Sequence, residues 1–396
     1  MDERSKFLPS NQKRNKKKLY SNNRNIKRGT INIPNITYII IFILLIMTCI
    51  LLLLRIIKLN MEIEEYNIPE DNLSKNATLL KKSQKLKRLF QYKEDSLDNI
   101  TDKNQIHISM SIDNNYTYPT LVSMTSILEN NNETNNLIIF HLFLSYNYNT
   151  EFIEIFESLK NKYEVKINYY IIPDIFMGFR TWSDRTDCIY YKILIPLILK
   201  DIERVIYLDA DTLTFKDLYE LYSLPFNDNY VLGYPFQDVY KIDKFVENAT
   251  TYINGGVLLL NNEQIRKNNK DVELLQFTLE NNENLWFLEQ DSLNIVFFNK
   301  VGILPLKYGI YLYGDINIFE NHYEKRLRIT INKTELNNAI EDPSIVHLSC
   351  CNPKVWNKIS NNDFGYVSIC DRFRKEFYYY ANKTDYYSEI YNKYMN

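Results

Sequence analysis

The chain has 396 residues and a formal net charge of −2, enough length for one large domain with accessory segments. The near-neutral total hides a gradient. Ten of the first 30 residues are Lys or Arg, but twelve of the 47 bases and two of the 49 acids precede Leu59, which leaves the rest at a net −12. An acidic body without a basic stripe argues against nucleic acid as a partner.

Residues 1–36 form a basic tail. The apolar run from Thr37 to Leu54, extended by Ile56 and Ile57 past Arg55, approaches the roughly 20 residues that span a bilayer as a helix. No small-residue cleavage site follows it, so residues 37–58 read as an uncleaved signal anchor. The basic flank predicts a cytosolic N-terminus and a lumenal remainder, a single-pass type II arrangement in the Golgi or ER. Residues 59–104 are polar and of mixed charge, as in a lumenal stem. Asn-x-Ser/Thr sites at Asn72, Asn76, Asn99, Asn115, Asn132, Asn248, Asn332 and Asn382 fit that compartment but carry little weight in so Asn-rich a chain. Of five cysteines, Cys49 lies in the apolar run. Cys188, Cys350, Cys351 and Cys370 allow up to two disulfides, with the pairing open. No cysteine spacing suggests a zinc site.

From Ile106, strands and helices alternate. Ile106–Ile112 alternates apolar and polar residues as a strand does, and Tyr118–Glu129 has helical spacing. Strands are predicted over 137–144 and 165–172, and helices over 151–163 and 188–199, the last interrupted by Pro196. Val205–Leu208 is a short buried strand. Further strands fall at 230–234, 256–260 and 301–306, and further helices at 263–280, 289–299 and 367–394. This order predicts an α/β fold with a mostly parallel sheet flanked by helices, whose ligands sit at the carboxyl ends of strands. No Walker or Rossmann glycine loop is present, so phosphate would have to be held by metal and Lys/Arg.

At such a strand end stands Tyr207-Leu208-Asp209-Ala210-Asp211-Thr212-Leu213. Alternation along a strand would point both carboxylates the same way, and a divalent cation would relieve their repulsion. The alternative is a solvated turn. Four more segments accompany it in order: Ser111–Tyr116, Asn254–Asn261, Glu289–Asn294, and His347–Trp356, reading HLSCCNPKVW. Together they resemble glycosyltransferase family 8, the group of glycogenin and the lipopolysaccharide galactosyltransferases, over residues 105–360. Residues 361–396 form a Tyr-rich C-terminal extension.

The resemblance implies a GT-A fold and retaining transfer from a UDP-sugar to a glycan or glycoconjugate acceptor, dependent on Mn²⁺ or else Mg²⁺. It implies Asp209, Asp211 and His347 as metal ligands, with imidazole favouring Mn²⁺. Asp113 and Asn115 match contacts to the uracil and Tyr116 the ring stacked on it; the alternative for Asp113 is an Asx turn. Lys192 matches a basic position near the donor, and Lys354 one that reaches the diphosphate. Asn254 and Gly255 match contacts at the sugar, with glycine allowing close backbone approach. Gln290 matches the residue beneath the anomeric carbon, between Glu289 and Asp291 in the catalytic segment, and Asp238 an acceptor-site position. The chain departs from the family pattern at Cys350 (usually Gly), Val355 (usually Pro) and Glu289 (usually Asp), and in a His347–Lys354 spacing one residue longer. Those departures keep a non-catalytic, sugar-binding relative as the rival reading. A nucleotidyltransferase is the second rival, and it lacks its glycine loop in residues 111–120.

The anchor reading has a direct check. Protease treatment of intact microsomes is expected to clip an N-terminal tag and spare a C-terminal one; the reverse pattern contradicts the type II orientation.

Overall fold

The computed structural model describes residues 91–93, 104–131, 134–181, 186–236, 242–247, 249, 251–309, 333–359 and 368–395. The anchor, most of the stem and Asp238 therefore lie outside the described residues. Among the described residues, no helix is long and apolar enough to cross a membrane.

The strands, in chain order, are β1 (Gln91–Lys93), β2 (Asn104–Ile112), β3 (Asn136–Leu144), β4 (Val165–Ile171), β5 (Arg204–Leu208), β6 (Thr212–Thr214), β7 (Val231–Pro235), β8 (Ile253–Asn261), β9 (Val301–Ile303) and β10 (Ile345–His347). Eight make one sheet in the order β1-β4-β3-β2-β5-β8-β7-β9, and β10 pairs with β6 in a second, two-stranded sheet. Pairings from β4 through β3 and β2 to β5 are parallel, as is β7 with β9; β5–β8 and β7–β8 are antiparallel. This is the mostly parallel α/β sheet that the alternation predicted.

The helices are α1 (Thr117–Asn131), α2 (Ile153–Glu157), α3 (Ile195–Ile198), α4 (Tyr219–Tyr222), α5 (Asn262–Lys267), α6 (Lys270–Asn281), α7 (Glu289–Val296), α8 (Lys333–Glu341), α9 (Ser368–Ala381) and α10 (Tyr387–Met395). Two apolar clusters cover opposite faces of the sheet. Ile106, Ile108, Met110 and Ile112 point into one, whereas Phe143, Val205 and Tyr207 point into the other. Two polar residues of β2, His107 and Ser109, are buried too: His107 bonds His141 on β3 at 3.0 Å, and His141 bonds the Tyr170 hydroxyl at 3.2 Å.

Four predicted helices are interrupted, each for a local reason. Residues 151–163 form α2 between two 3-10 turns. There the Ser158 hydroxyl donates back to the Ile155 carbonyl, a bond that competes with the helical ladder. Residues 187–194 form a 3-10 helix that passes into α3. Pro196 has no N–H to reach the Lys192 carbonyl four residues back, so the Ile195 N–H takes that carbonyl instead. The predicted 263–280 helix is two, α5 and α6, because Asn269 is left-handed at φ 55°. Residues 367–394 form α9 and α10 around the turn at Asn382–Tyr386, where the Thr384 hydroxyl accepts the Tyr386 N–H.

The histidine pair makes a prediction. Burial pushes His107 down to about 4 and holds His141 well below its ordinary range, the charge of His107 adding to the effect on His141. A histidine that refuses its proton when folded but accepts it when unfolded makes stability rise with pH between those two values. Stability is therefore full above about pH 6.5 and falls towards pH 4, with His107 alone contributing about 3 kcal/mol to the loss. Denaturant melts of the parent and His107→Asn across that range should show a shallower loss in the variant; parallel losses contradict the assignment.

Candidate active site

Two pairings build the site. The antiparallel register of β5 and β8 sets Leu208 against Val257, and one step further the Asp209 N–H donates to the Gly256 carbonyl at 2.8 Å. The register of β6 and β10 sets Thr212 against His347, and the Leu348 N–H donates to the Asp211 carbonyl at 2.8 Å. Asp209–Asp211 is thus a turn between strands of two sheets. The carboxylates converge through that turn and not, as the sequence suggested, by alternating along one strand.

Asp209, Asp211 and His347 each offer a ligand atom, and these atoms lie within 4.8 Å of one another. His347 Nε2 is 3.1 Å from Asp211 Oδ1 and 3.5 Å from Asp209 Oδ2. Ligands about 2.0–2.1 Å from an octahedral ion stand about 3 Å apart, so this spacing fits a divalent cation. The other ring nitrogen is taken: Nδ1 lies 2.7 Å from the Tyr234 hydroxyl. That contact orients the ring with Nε2 towards the carboxylates, as an outer partner of a metal ligand does. Two hard oxygens and one imidazole form a donor set that suits Mn²⁺ or Mg²⁺.

Glycine is required beside these groups. A Cβ on Gly256 would collide with the His347 imidazole and lie 2.8 Å from Asp209 Oδ2. The close approach expected at Gly255 falls on its neighbour; at Gly255 a Cβ would meet Lys192 Nζ at 3.4 Å, a tight but ordinary contact. Gly309 acts one shell out, since a Cβ there would strike the Tyr234 ring.

Two lysines neutralise the carboxylates. Lys354 Nζ is 2.7 Å from Asp211 Oδ2, so the lengthened loop after His347 still delivers its lysine. Burial works to raise the Asp211 carboxyl, but Lys354 and His347 together hold it well below the usual carboxylate range. Lys192 is buried from the 187–194 turn and reaches Asp209 Oδ1 at 3.2 Å, Glu289 Oε1 at 3.1 Å and the Gly255 carbonyl at 2.9 Å. Burial alone would lower its pKa; Asp209 and Glu289 turn the shift upward. The Tyr207 hydroxyl donates to Asp209 Oδ1 at 2.7 Å.

The segment at 289–291 divides by role. Gln290 is fixed at both ends of its amide: Oε1 accepts the Gly255 N–H at 2.8 Å and Nε2 donates to the Tyr252 hydroxyl at 3.2 Å. Asp291 is occupied by structure. Its Oδ2 accepts the N–H groups of Trp286 and Phe287 at 2.6 and 2.9 Å, and its Oδ1 the Tyr252 hydroxyl at 2.5 Å. Those bonds hold the tight entry to α7, where Leu288 sits at φ 58°, a conformation costly for a bulky residue. Asn294 clamps α7 onto β8 through the Ile253 N–H and carbonyl and the Gln290 carbonyl. Asn254 turns its Oδ1 onto the Gly256 N–H at 2.7 Å.

Lys192, Asp209, Asn254, Glu289, Gln290 and His347 line one cleft. A wider depression of about 710 Å³ beside α8 contains none of these groups, and we place the chemistry where the charges converge. Asp113, Asn115 and Tyr116 are not in the cleft lining. Asp113 forms the Asx-type cap that was its alternative reading: Oδ1 accepts the N–H groups of Asn115 and Tyr116 at 2.9 and 3.0 Å, and Oδ2 the Thr186 hydroxyl at 2.9 Å. The turn nevertheless connects to the Lys354 loop, because Tyr116 meets the edge of Trp356 at 5.8 Å and Lys354 lies 5.9 Å from that ring's centroid.

A family model, Glycosyl transferase family 8, matches residues 107–360. The chain belongs to glycosyltransferase family 8. Its similarity to the lipopolysaccharide 1,2-glucosyltransferase of Escherichia coli is 29% identity over 221 residues, 53% of this chain and 64% of that protein. To the lipopolysaccharide 1,3-galactosyltransferase of Salmonella typhimurium it is 28% over 223 residues, again 53% and 64%. The chain thus spans just under two thirds of the length of these relatives. The glucoside xylosyltransferase 1 of Gallus gallus is 28% identical over 183 residues, 40% of this chain and 42% of that one. Among solved structures, the galactosyltransferase LgtC in complex with donor and acceptor sugar analogues superposes with a TM-score of 0.54 at 18% identity, over 71% of this chain and 96% of that one. That likeness shows a shared GT-A-like fold.

Within this family 8 domain, sequence reading did not single out Tyr234, Tyr252, Gly256, Asn294 or Gly309. Asn294 carried a usable signal, since it lies one helical turn from Gln290. Tyr234 carried none, because only the fold brings it to His347. Removing its hydroxyl with Tyr234→Phe is expected to weaken divalent-metal binding about 10- to 100-fold. Calorimetric titration with Mn²⁺ checks this, and an unchanged affinity contradicts the orienting role.

Proposed function

We propose that this protein is a retaining glycosyltransferase that moves a hexose or related sugar from a UDP-sugar to a glycan or glycoconjugate acceptor, with Mn²⁺ as the preferred ion. The observation that carries this reading is the convergence of Asp209, Asp211 and His347 with Lys354 beside a fixed Gln290. Bound at the three side chains, a divalent cation would neutralise charge developing on a departing diphosphate. Lys354 supplies a second positive charge at the same end. On this reading Asp113, Asn115 and Tyr116 receive the uracil and Asn254 and Gly255 contact the donor sugar. The names of the lipopolysaccharide transferases support a glycan-type acceptor.

Retention calls for either a covalent intermediate or attack on the face from which the leaving group departs. Two carboxylates flank Gln290 in the chain: Asp291 is taken by the Tyr252 hydroxyl and two backbone N–H groups, and Lys192 holds Glu289 Oε1 in a buried ion pair at 3.1 Å. Gln290, an amide, is a poor nucleophile. We therefore assign same-face attack, with Gln290 steadying the electron-poor anomeric centre.

The compartment is part of the proposal: residues 37–58 anchor the protein, residues 1–36 face the cytosol, and the catalytic domain faces the Golgi or ER lumen. The Cys351–Cys370 disulfide supports an oxidising environment. It also fixes one of the pairings that the sequence left open, while Cys188 is buried as a free thiol.

NMR of the first-formed product tests the stereochemistry. The parent is expected to keep the donor's α configuration. Gln290→Ala is expected to slow transfer by roughly 10- to 1,000-fold without changing the anomer, the scale of losing one electrostatic contact. A β product from the parent contradicts retention. Complete inactivity of Gln290→Ala, with a glycosyl adduct trapped on the parent protein, contradicts same-face attack.

A further inference from the structure

We propose that the two C-terminal helices belong to the donor site, and that Tyr394 is a positioning residue for the turn Asp113–Tyr116. The proposal rests on the reading of that turn as the base subsite. Both helices lie beyond residues 107–360, the stretch that the family model matches.

The turn is a single 3-10 turn, Asn114–Tyr116, too short to be stable by itself. Asp113 holds its amino end. The chain then returns across 279 residues to hold the other side: the Tyr394 hydroxyl donates to the Asn115 carbonyl at 3.3 Å. The Tyr394 ring also meets Trp356 at 6.3 Å, and Trp356 in turn meets Tyr116. Its own carbonyl accepts the Lys358 N–H at 3.0 Å. One residue therefore ties the base-side turn to the loop that carries Lys354.

Neighbours repeat the pattern. Lys393 Nζ lies 5.2 Å from the Tyr118 ring and Tyr386 packs on Tyr118 at 6.5 Å. From α9, the Tyr378 hydroxyl donates to the Trp356 carbonyl at 2.7 Å, and Cys370 is bonded to Cys351, three residues before Lys354. A helix pair added only for bulk would bury apolar surface against the back of the sheet. This pair packs Phe373, Phe377 and Ile390 into the core and, beyond that, places hydroxyls on the carbonyls of two loops that flank the site. Its effect on ligands should then be selective. Loss of the Tyr394 hydroxyl disturbs the platform for the base, while the ring's contact with Trp356 and the Asp209–Asp211 turn keep the diphosphate end intact.

The test uses the full-length protein in detergent with Mn²⁺, titrated by calorimetry with UDP, with uridine and with pyrophosphate. Tyr394→Phe keeps the ring and removes the hydroxyl. It is expected to weaken UDP and uridine in parallel, about 2- to 10-fold, the scale of one hydrogen bond, and to leave pyrophosphate unchanged. Tyr394→Ala, which also removes the ring from Trp356, should weaken UDP and uridine further. Unchanged UDP and uridine affinities in Tyr394→Phe overturn the proposal. So does an equal loss for all three ligands, which marks general destabilisation. If the parent itself binds pyrophosphate but neither UDP nor uridine, the base-subsite reading fails and this proposal with it; normal parent binding with indifferent variants sinks this proposal alone.

Discussion

The site depends on the backbone pairing on either side of Asp209-Ala210-Asp211. On one side the β5–β8 pairing carries on to bond Asp209 to Gly256; on the other the β6–β10 register pairs His347 with Thr212, the residue next to Asp211. A strand slip of one residue turns every side chain to the opposite face, so either pairing shifted by one step would scatter the cluster. Both registers are held by buried apolar residues. Val257, Leu258, Leu259 and Leu260 on β8 and Ile345 and Val346 on β10 are almost wholly excluded from solvent. The hydrophobic core thereby fixes the positions of charged groups that would not gather by themselves.

Electrostatics is the second constraint. Asp209, Asp211 and Glu289 lie close together, and two of them are buried. Desolvated carboxylates need compensation. Lys192 serves Asp209 and Glu289 and Lys354 serves Asp211, which leaves His347 and the remaining oxygens for an ion. Lys192 is the less obvious of the two. It is 2% exposed in its side chain and bonded on three sides, so its contribution is to hold the charge balance and to pin Glu289. The longer Glu289 is compatible with the site because Lys192 takes up its extra reach.

Much of the fold was legible because it is written in short apolar runs. Strands such as Leu137–Leu144 and Val205–Leu208 are buried on both faces and bounded by turn residues, so their positions could be read, whereas their register could not, because a run that is apolar throughout looks the same after a one-residue slip. The metal cluster was legible for a different reason: Asp209, Asp211 and His347 stand in recognisable local motifs, even though 136 residues separate Asp211 from His347. What stayed hidden was contact without local signature. Tyr234 reaches His347 and Tyr252 reaches Gln290 and Asp291 through the sheet, and Tyr394 reaches Asn115 through the packing of the last helix, and in a chain with 32 tyrosines none of them stood out. Helix ends were misread where a single residue decided them, as Pro196 and Asn269 do. Asp291 was placed among the catalytic residues on motif alone, whereas its three hydrogen bonds show it shaping the turn before Gln290.

The central claim is that one divalent ion sits where the two pairings meet. Crystals grown with Mn²⁺ and UDP, with anomalous diffraction collected at the manganese edge, test it most directly. The account predicts a single strong peak within bonding distance of carboxylate oxygens of Asp209 and Asp211 and of His347 Nε2, lost in Asp211→Asn. A peak bound elsewhere, or one that persists unchanged in that variant, would contradict it.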